Sequence, residues 1–353
     1  MNNSAFSFLG NFNCEIVHYY EPEKNAVIKS SGRHFNVCLG HKKWNFSLPL
    51  SLPLVVFSLF RIFRRLLRLD KSNAVFTYEK NAVVILYRGH IWRFCLKASS
   101  LMQVGVLKNC RNVLHGGIAV TPKGIYFGEY GSNAERNSVN IINSSDNGYS
   151  WASIYTFPKG SIKHIHGVYF DSYTGRLWIP TGDFNGECFL NSANYKFTDV
   201  IKYGDGTQKW RAVGLFFKEK EVVWAMDSPL EESFIQRFDR KDGTLTKGVG
   251  FPGPVWYVKQ LSDGISLLQT SVEIGAGVSS NSCHVYASTD LENWQCVASF
   301  KKDVWPMPYF KWGVISFADG EQSSQDFAMF GEALDTFDGV AFAAKLNLKC
   351  LKE

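Results

Sequence analysis

One eight-residue stretch constrains the fold of this chain more than any other part of its sequence. Residues 144–151 read SSDNGYSW and match the pattern S-x-D-x-G-x-[ST]-W at every defined position. In such a stretch the aspartate can accept hydrogen bonds from nearby backbone amides, the glycine supplies a positive φ, and the tryptophan covers the start of the next strand. The pattern therefore predicts a tight turn between two β-strands.

A second stretch repeats the pattern in shortened form. Residues 288–294 read STDLENW, whereas residues 192–197, SANYKF, are too degenerate to count alone. This turn is the Asp-box, and through it the chain resembles the sialidase-like β-propeller superfamily across roughly residues 110–300. The resemblance implies a propeller in which each Asp-box lies at the outer hairpin of a blade, between its third and fourth strands.

Five segments of the chain also align as an internal repeat. Each has a strand-like run, a turn and a second run that ends on an acid. The first runs begin at residues 115, 166, 211, 256 and 312, a spacing of 45 to 56 residues, which is the size of a four-stranded blade. Two earlier units can be read at 15–48 and 74–107, with the opening segment available to complete the last blade.

These units, together with 28 Phe, 15 Tyr, 10 Trp and 30 Gly, favour an all-β fold of short strands and tight turns. We predict a single β-propeller domain over residues 1–353. Seven blades fit the repeat best, and six is the alternative if the first fifty residues do not form a full blade.

Residues 51–70 interrupt this β-rich pattern. Arginines at 61, 64, 65 and 68 follow the helical spacing i, i+3, i+4, i+7, and Leu, Ile and Phe fill the other positions. The segment is too short and too charged to span a bilayer, which needs about 20 apolar residues. We expect one inserted amphipathic helix. It either lies in an anionic membrane surface or packs on the propeller with its arginines in water.

Charge and cysteine content limit the remaining classes. The net charge is +6, and outside residues 51–70 there is no basic stripe of the kind that binds nucleic acid. The first residues, MNNSAF, have neither the basic nor the apolar region of a signal peptide. We therefore expect a cytoplasmic protein, with peripheral attachment at the inner membrane face as an option. The eight cysteines lie singly and are expected to be buried, reduced thiols.

Blade topology predicts where functional residues meet. In an up-and-down blade, the start of the first strand and the end of the second share one face, opposite the Asp-box turn. The acids that end the second runs should therefore surround the axis together with histidines and arginines near the first-strand starts. The candidate catalytic residues are Asp183, Glu273, Asp227, Glu129 and His166. The candidate substrate-binding residues are Arg211, Arg88, Arg136, Tyr130, Tyr257 and His115.

Such a set of side chains suits an acidic polysaccharide or a lipid-linked oligosaccharide. A hydrolase would use one acid to protonate the leaving oxygen and another as nucleophile or base. A lyase would use a His or Tyr as base beside a neutralised carboxylate. The F-R-I-P motif of sialidases is absent, so sialidase activity itself is not expected. The alternatives are a non-catalytic scaffold that binds a glycan or protein partner, and a glycosyl-transferring enzyme of surface polysaccharide synthesis.

The segment His164-Ile165-His166 also suggests a divalent metal. Alternate residues of a strand point to one side, so both rings could bind one ion with His115 as a third ligand. In this the chain resembles a propeller lyase acting on oligouronides, which holds its metal in a histidine cluster. The alternative is that these histidines only donate and accept hydrogen bonds. No other cofactor is indicated.

Overall fold

The computed structural model describes residues 5–351, and the strands in this range form seven sheets of four strands each. The chain begins with β1 (Phe6–Asn11), β2 (Ile16–Glu21), β3 (Ala26–Ser31), β4 (His34–Leu39) and β5 (Lys42–Ser47). Two short helices follow, α1 (Leu52–Phe57) and α2 (Arg61–Leu66). The next sheet contains β6 (Ser72–Phe76), β7 (Ala82–Tyr87), β8 (His90–Cys95) and β9 (Ser100–Val106).

The middle of the chain adds three more sheets. They are built from β10 (Ile118–Thr121), β11 (Gly124–Gly128), β12 (Val139–Ser144) and β13 (Ala152–Phe157); β14 (Tyr169–Asp171), β15 (Arg176–Thr181), β16 (Cys188–Ala193) and β17 (Val200–Gly206); and β18 (Phe216–Phe217), β19 (Glu221–Ala225), β20 (Ser233–Asp239) and β21 (Leu245–Phe251). The last part contains β22 (Val255–Gln260), β23 (Ser266–Thr270), β24 (Ser282–Ser288), β25 (Gln295–Lys301), α3 (Met307–Phe310), β26 (Val314–Phe317), β27 (Phe327–Glu332) and β28 (Ala341–Leu346). Single-turn 3-10 helices occupy Pro22–Lys24, Gln208–Trp210 and Leu348–Leu351.

The order of strands within the sheets identifies a seven-bladed β-propeller. Six sheets are meanders of four consecutive strands, and the seventh has the order β1-β28-β27-β26. Its first strand pairs antiparallel with its last, from Phe6 opposite Leu346 to Asn11 opposite Phe342. The all-β prediction is confirmed with seven blades, six blades is wrong, and the opening segment completes the last blade as expected.

The chain divides into two compact units, which are described separately. Unit 1 contains the described residues up to Lys71, Pro229–Glu232 and those from Phe251 onward, and it holds the sheets β2–β5, β22–β25 and β26–β28 with β1. Unit 2 contains Ser72–Ser228 and Ser233–Gly250 and holds the other four sheets.

Burial within a sheet follows strand position. In unit 2, all six residues of β7 are buried, whereas β9 at the outer edge of the same sheet has no buried residue. Inner strands are covered on both faces and read as continuous apolar runs. Trp178, Trp210 and Trp224 are buried together between neighbouring sheets of this unit, so they fill the core and do not form an exposed sugar platform.

Both Asp-box turns have the predicted position and hydrogen bonds. Asp146 Oδ1 accepts from Tyr149 N at 3.1 Å and Ser150 N at 2.9 Å, in the turn between β12 and β13. Gly148 has φ of +85°. In the second copy, Asp290 Oδ1 accepts from Asn293 N at 2.8 Å between β24 and β25. Each turn therefore joins the third and fourth strands of a sheet.

The segment 51–70 differs from the prediction. It forms the two short helices α1 and α2 instead of one, and three of its four arginines turn toward the protein. They enter a group of ion pairs that we call the arginine network, consisting of Arg61, Arg64, Arg65, Glu15, Asp70, Asp303 and Asp338. The sequence pattern shows which side chains share a helix face but not which face contacts the fold, because three of the four acids, Glu15, Asp303 and Asp338, lie far away in the chain.

Seven apolar side chains of the same segment face outward. Leu52 and Leu59 have 77% and 69% of their surface exposed. The other large apolar residues exposed here are Val56, Phe57, Phe60, Phe63 and Leu66. We call these seven residues the apolar surface. In the part of the chain that the structure describes, no helix combines the length and the apolarity needed to cross a membrane.

The cysteines only partly follow the prediction. None of the eight is in a disulfide, but only Cys110, Cys188 and Cys283 are buried, and Cys296 is exposed. Burial raises the pKa of the Cys188 thiol to about 11, so this thiol stays protonated at neutral pH.

Candidate functional site

The two histidines of the HIH segment lie in unit 2, in extended backbone just before β14. Ile165, between them, forms an isolated bridge to Thr181, and its amide donates to Glu129 O at 3.1 Å. A Cβ on Gly128 would lie 2.2 Å from Ile165 Cγ2. Only glycine at 128 allows this close approach, which fixes Ile165 inward and directs both neighbouring imidazoles to the opposite side.

His164 Nε2, His166 Nε2 and Asp183 Oδ1 form a nearly equilateral triangle. The two nitrogens lie 3.2 Å apart, and each lies 3.3 Å from the carboxylate oxygen. Both imidazoles are buried. Among residues 5–351, this is the group of His, Cys and acidic side chains that converges closely enough to hold a metal ion, and His115 is not part of it. We call these three residues the histidine cluster.

Hydrogen bonds on the far side of each ring fix its protonation pattern. His164 Nδ1 lies 2.8 Å from Gly131 O, and His166 Nδ1 lies 2.6 Å from Ala212 O. A carbonyl oxygen only accepts, so both Nδ1 atoms donate, and Nε2 of each neutral ring then carries a lone pair. These two lone pairs are directed at each other and at the Asp183 carboxylate.

Two cations also contact the Asp183 carboxylate. Arg211 Nη2 lies 3.1 Å from Oδ1, and Lys163 Nζ lies 2.5 Å from Oδ2. Arg211 Nε in turn donates to Asp227 Oδ2 at 3.1 Å. Burial by itself would raise the pKa of Asp183, but the hydrogen bonds that His164 and His166 donate when their rings are protonated, together with the charge of Arg211, outweigh it and hold the pKa well below its usual range. Asp183 is therefore a carboxylate at all physiological pH values.

The backbone also fixes Asp183. Its φ is +153°, which is uncommon for a residue with a side chain. Its carbonyl oxygen accepts from Arg211 Nη1 at 2.8 Å and from Gln208 Nε2 at 3.1 Å. Arg211 therefore contacts both the side chain and the main chain of Asp183, so the carboxylate is held from two sides.

Asp183 and Lys163 form the accessible edge of the site. Their side chains are 16% and 20% exposed, whereas those of the two histidines are 4% and 1% exposed. Phe184 beside them is exposed, and Lys163 Nζ lies 5.4 Å from the centre of its ring. A ligand that approaches this edge meets a cation, a carboxylate and an aromatic ring first.

Three other predicted residues of unit 2 lie near this site in different roles. The ring of Tyr130 lies 4.3 Å from that of His164, centre to centre. Glu129 Oε2 accepts from Asn140 N at 2.8 Å and Asn109 Nδ2 at 3.0 Å, which is the role of a carboxylate that joins blade segments. Arg136 pairs with Glu187 at 2.5 Å instead of contacting the histidine cluster.

The remaining predicted residues are not brought into the histidine cluster. His115 precedes β10, and Arg88 lies in the turn between β7 and β8 with φ of +53°. In unit 1, Glu273 accepts from Ser271 Oγ at 2.7 Å. Tyr257 is half-buried on β22 and packs against the apolar core of that unit. Their predicted roles in catalysis or binding stay predictions.

Lys163 was missed by the sequence interpretation. It directly precedes the HIH segment, and a regular strand would point its side chain away from both histidines. The backbone here is not a regular strand, because β14 begins only at Tyr169. This irregularity lets Lys163 contribute to the same site as His164 and His166, and no local sequence signal indicates it.

Comparison with known proteins supports the fold alone. No family model and no curated protein sequence matches the chain. Solved structures match its fold: a chain of a mitotic checkpoint complex has a TM-score of 0.53 at 8% identity, covering 98% of this chain and 92% of that chain. The extracellular domain of the hybrid two component system BT4673 from B. thetaiotaomicron has a TM-score of 0.59 at 10% identity, covering 98% of this chain and 40% of that chain. A second structure of the BT4673 extracellular domain, described as a one component system, has a TM-score of 0.57 at 12% identity. The chain is thus similar to these proteins as a seven-bladed β-propeller.

Proposed function

We propose that this chain binds an acidic glycan at the histidine cluster and cleaves it by elimination. The observation that carries the proposal is the convergence of two buried imidazoles on Asp183, whose carboxylate also contacts Arg211 and Lys163. Lys and Arg side chains bind carboxylates such as those of uronate sugars, and imidazole exchanges protons near neutral pH. The site therefore contains both the cations and the bases that the reaction needs.

The ionisation of Asp183 favours elimination over hydrolysis. A glycoside hydrolase needs a carboxylic acid that is protonated at working pH, whereas the carboxylate of Asp183 contacts both Lys163 and Arg211, and these cations favour its charged form. In elimination, a base removes the proton beside the sugar carboxylate, the electrons form a C=C bond, and the glycosidic C–O bond breaks as its oxygen takes up a proton. Lys163 at the exposed edge would neutralise the sugar carboxylate. The proton would go to an imidazole of the histidine cluster, or, when both imidazoles bind an ion through Nε2, to Tyr130, whose ring lies 4.3 Å from that of His164.

The Asp-box turns support a glycan as the substrate. We infer from them a relationship to the sialidase-like propellers, without the sialidase reaction itself. As substrates we propose acidic lipid-linked or surface polysaccharides at the inner membrane face. A non-catalytic glycan-binding scaffold and a glycosyl-transferring enzyme are the competing functions, and both predict that no unsaturated sugar is formed.

The test is to incubate the protein with a panel of polyuronides and to measure two quantities, unsaturated uronate and reducing ends. Elimination raises the ultraviolet absorbance of unsaturated uronate and the number of reducing ends together. Hydrolysis raises only the reducing ends, and a scaffold raises neither. We expect His166→Asn to lower the rate by about 10²–10⁴-fold, the usual contribution of a general acid or base. His284→Ala is the matched control, because His284 hydrogen-bonds Ser280 and Ser299 in unit 1.

We further propose that the apolar surface attaches the chain to a lipid bilayer. Residues 49–60 contain no charged side chain, and the hydroxyl of Ser58 donates to Val55 O within the helix. The surface therefore offers lipid chains apolar groups and offers a protein partner few hydrogen bonds. Helix α3 packs against α2, with exposed Trp305 and Tyr309 beside it, and such residues are typical of the membrane–water interface.

This attachment would not depend on Arg61, Arg64 and Arg65, because these three are bonded within the protein. Flotation with neutral and with anionic vesicles tests the idea. The double variant Leu59→Asp/Phe60→Asp should lose flotation with both vesicle types without unfolding, since both residues are exposed. Tyr173→Asp, an exposed position of unit 2, is the control. Equal flotation of the double variant and the parent would contradict the proposal.

A further inference from the structure

We propose that the histidine cluster binds a divalent transition-metal ion such as Zn²⁺. The ligands would be His164 Nε2, His166 Nε2 and Asp183 Oδ1. Metal binding goes beyond the proposed function and does not depend on it. The use of the ion to bind a substrate carboxylate, argued below, does rest on the proposed function.

The separations of the three atoms fit one ion. Zn²⁺ binds imidazole nitrogen at about 2.0–2.1 Å in tetrahedral sites, so two of its ligand atoms lie about 3.3 Å apart. The three separations here are 3.2, 3.3 and 3.3 Å. Two nitrogens and one oxygen match the ligand types of Zn²⁺ and related ions, and three protein ligands leave a position for water or substrate.

Protonation also favours a cation at this point. Both Nδ1 atoms donate to backbone carbonyls, of Gly131 and Ala212, and this is the usual way in which metal-binding histidines are oriented. With neutral rings, two lone pairs and a carboxylate oxygen face one another inside the protein. A metal ion replaces this repulsion with three bonds. The competing arrangement is an extra proton on one imidazole, and it predicts no metal affinity.

The charges around the cluster indicate what the ion would bind next. Asp183 and Asp227 already balance Arg211 and Lys163. A divalent ion therefore makes the site positively charged, and it should prefer an anionic ligand at its open position. Lys163 and Asp183 form the exposed edge, so the carboxylate of an acidic sugar could reach both the ion and the lysine. We expect metal and uronate to strengthen each other's binding by the same factor.

Calorimetric titration of Zn²⁺ into the whole chain after chelator treatment tests the site without substrate. We expect one ion per chain. His164→Asn and His166→Asn keep an amide donor near the position of Nδ1 but lack Nε2, so they can fold while losing a ligand. Each should weaken Zn²⁺ binding at least as much as the about 10–100-fold that loss of an outer hydrogen-bond partner costs. His284→Ala should bind like the parent. Substitution with Co²⁺ adds an absorption spectrum that reports nitrogen and oxygen ligation.

The outcomes separate this proposal from the proposed function. Absence of Zn²⁺ and Co²⁺ binding, or equal affinity of the parent and both asparagine variants, would overturn the metal site. Polyuronide cleavage that is unchanged in chelator would also overturn a catalytic metal while leaving elimination intact. Tight metal binding without any cleavage would support the metal site and contradict the proposed function. Galacturonate that fails to strengthen Zn²⁺ binding would overturn only the bridging role.

Discussion

The arginine network of unit 1 and the histidine cluster of unit 2 both bury charged side chains, but they differ in how donors face acceptors. Arg61 alone contacts three carboxylates, those of Glu15, Asp70 and Asp338, at 3.1, 2.9 and 2.9 Å. A guanidinium carries five donors and no acceptor, so it separates the negative charges. In this network each acid contacts at least one arginine, so a positive group lies beside every negative one.

On one side of the histidine cluster, hydrogen-bond acceptors face other acceptors instead of donors. Arg211 and Lys163 approach Asp183 as the arginines approach their acids, but the imidazole nitrogens bring further lone pairs to the same oxygen. A buried network in which donors match acceptors stabilises or specifies a fold, whereas converging acceptors need a proton or a metal ion. The comparison therefore favours a structural role for the first group and supports the proposed chemistry at the second.

The largest expected effect is on the arginine network. Arg61→Met leaves three carboxylates without their shared partner. Removal of one member of a buried ion pair costs about 3–5 kcal/mol, and we expect the free energy of unfolding to fall by that amount. Urea denaturation at neutral pH measures it. A loss below about 1 kcal/mol, the range of surface ion pairs, would contradict the difference drawn between the two groups.

The next effect concerns Asp183 and depends on pH. Asp183→Asn should lower the free energy of unfolding by about 1–3 kcal/mol at pH 7, because Arg211 and Lys163 lose a charged partner. The pKa of Asp183 in the folded protein lies below its ordinary value of 3.8. The wild-type advantage is therefore full above that ordinary value and decreases as the pH falls below it.

Urea denaturation in chelator at pH 7 and near pH 3 measures this difference between wild type and the asparagine variant. A difference that is the same at both pH values would show that the charge of Asp183 contributes no stability.

A third change should affect activity more than stability. Lys163→Met removes the cation at the exposed edge of the site, and we expect kcat/KM on polyuronides to fall about 10–100-fold, since a hydrogen bond to a charged group contributes about 1.5–3 kcal/mol. The free energy of unfolding should change by less than about 1 kcal/mol. Initial rates and urea denaturation of the same preparation give both values. A stability loss as large as that of Arg61→Met would place Lys163 with the structural ion pairs.

The smallest effect is expected at an ion pair outside both groups. Lys209 pairs with Asp205 on the surface of unit 2 at 2.6 Å, with both side chains about half exposed. Lys209→Met should cost at most about 1 kcal/mol and leave turnover unchanged. It therefore calibrates the effect of removing a lysine charge in the same unit as Lys163.

The sequence predicts repeating features of this fold well. Spacing and turn chemistry are local properties, so the blade period, both Asp-box turns and the pairing of the opening segment with the last sheet could be predicted. A degenerate turn follows the same rule: Asn194 Oδ1 accepts from Lys196 N and Thr198 N, and Phe197 has φ of +54°. An asparagine thus replaces the aspartate, which the strict pattern excludes.

Features that depend on distant partners were predicted less well. The spacing of Arg61, Arg64 and Arg65 gives their common face, but the acids they contact include Glu15 and Asp338, far away in the chain. The two histidines are close in sequence and could be predicted as a pair. The sequence suggests His115 as their third partner, whereas the structure brings Asp183 to them.

The pairing of β1 with β28 has a consequence for biosynthesis. Strand β1 receives its hydrogen-bonding neighbour β28 only after more than three hundred further residues have been made. Until then β1 presents an unpaired edge, which other chains can extend, while sheets built from consecutive strands can already form. Contacts between distant segments form slowly, so we expect closure of this sheet to limit the folding rate and mechanical or thermal opening to begin there.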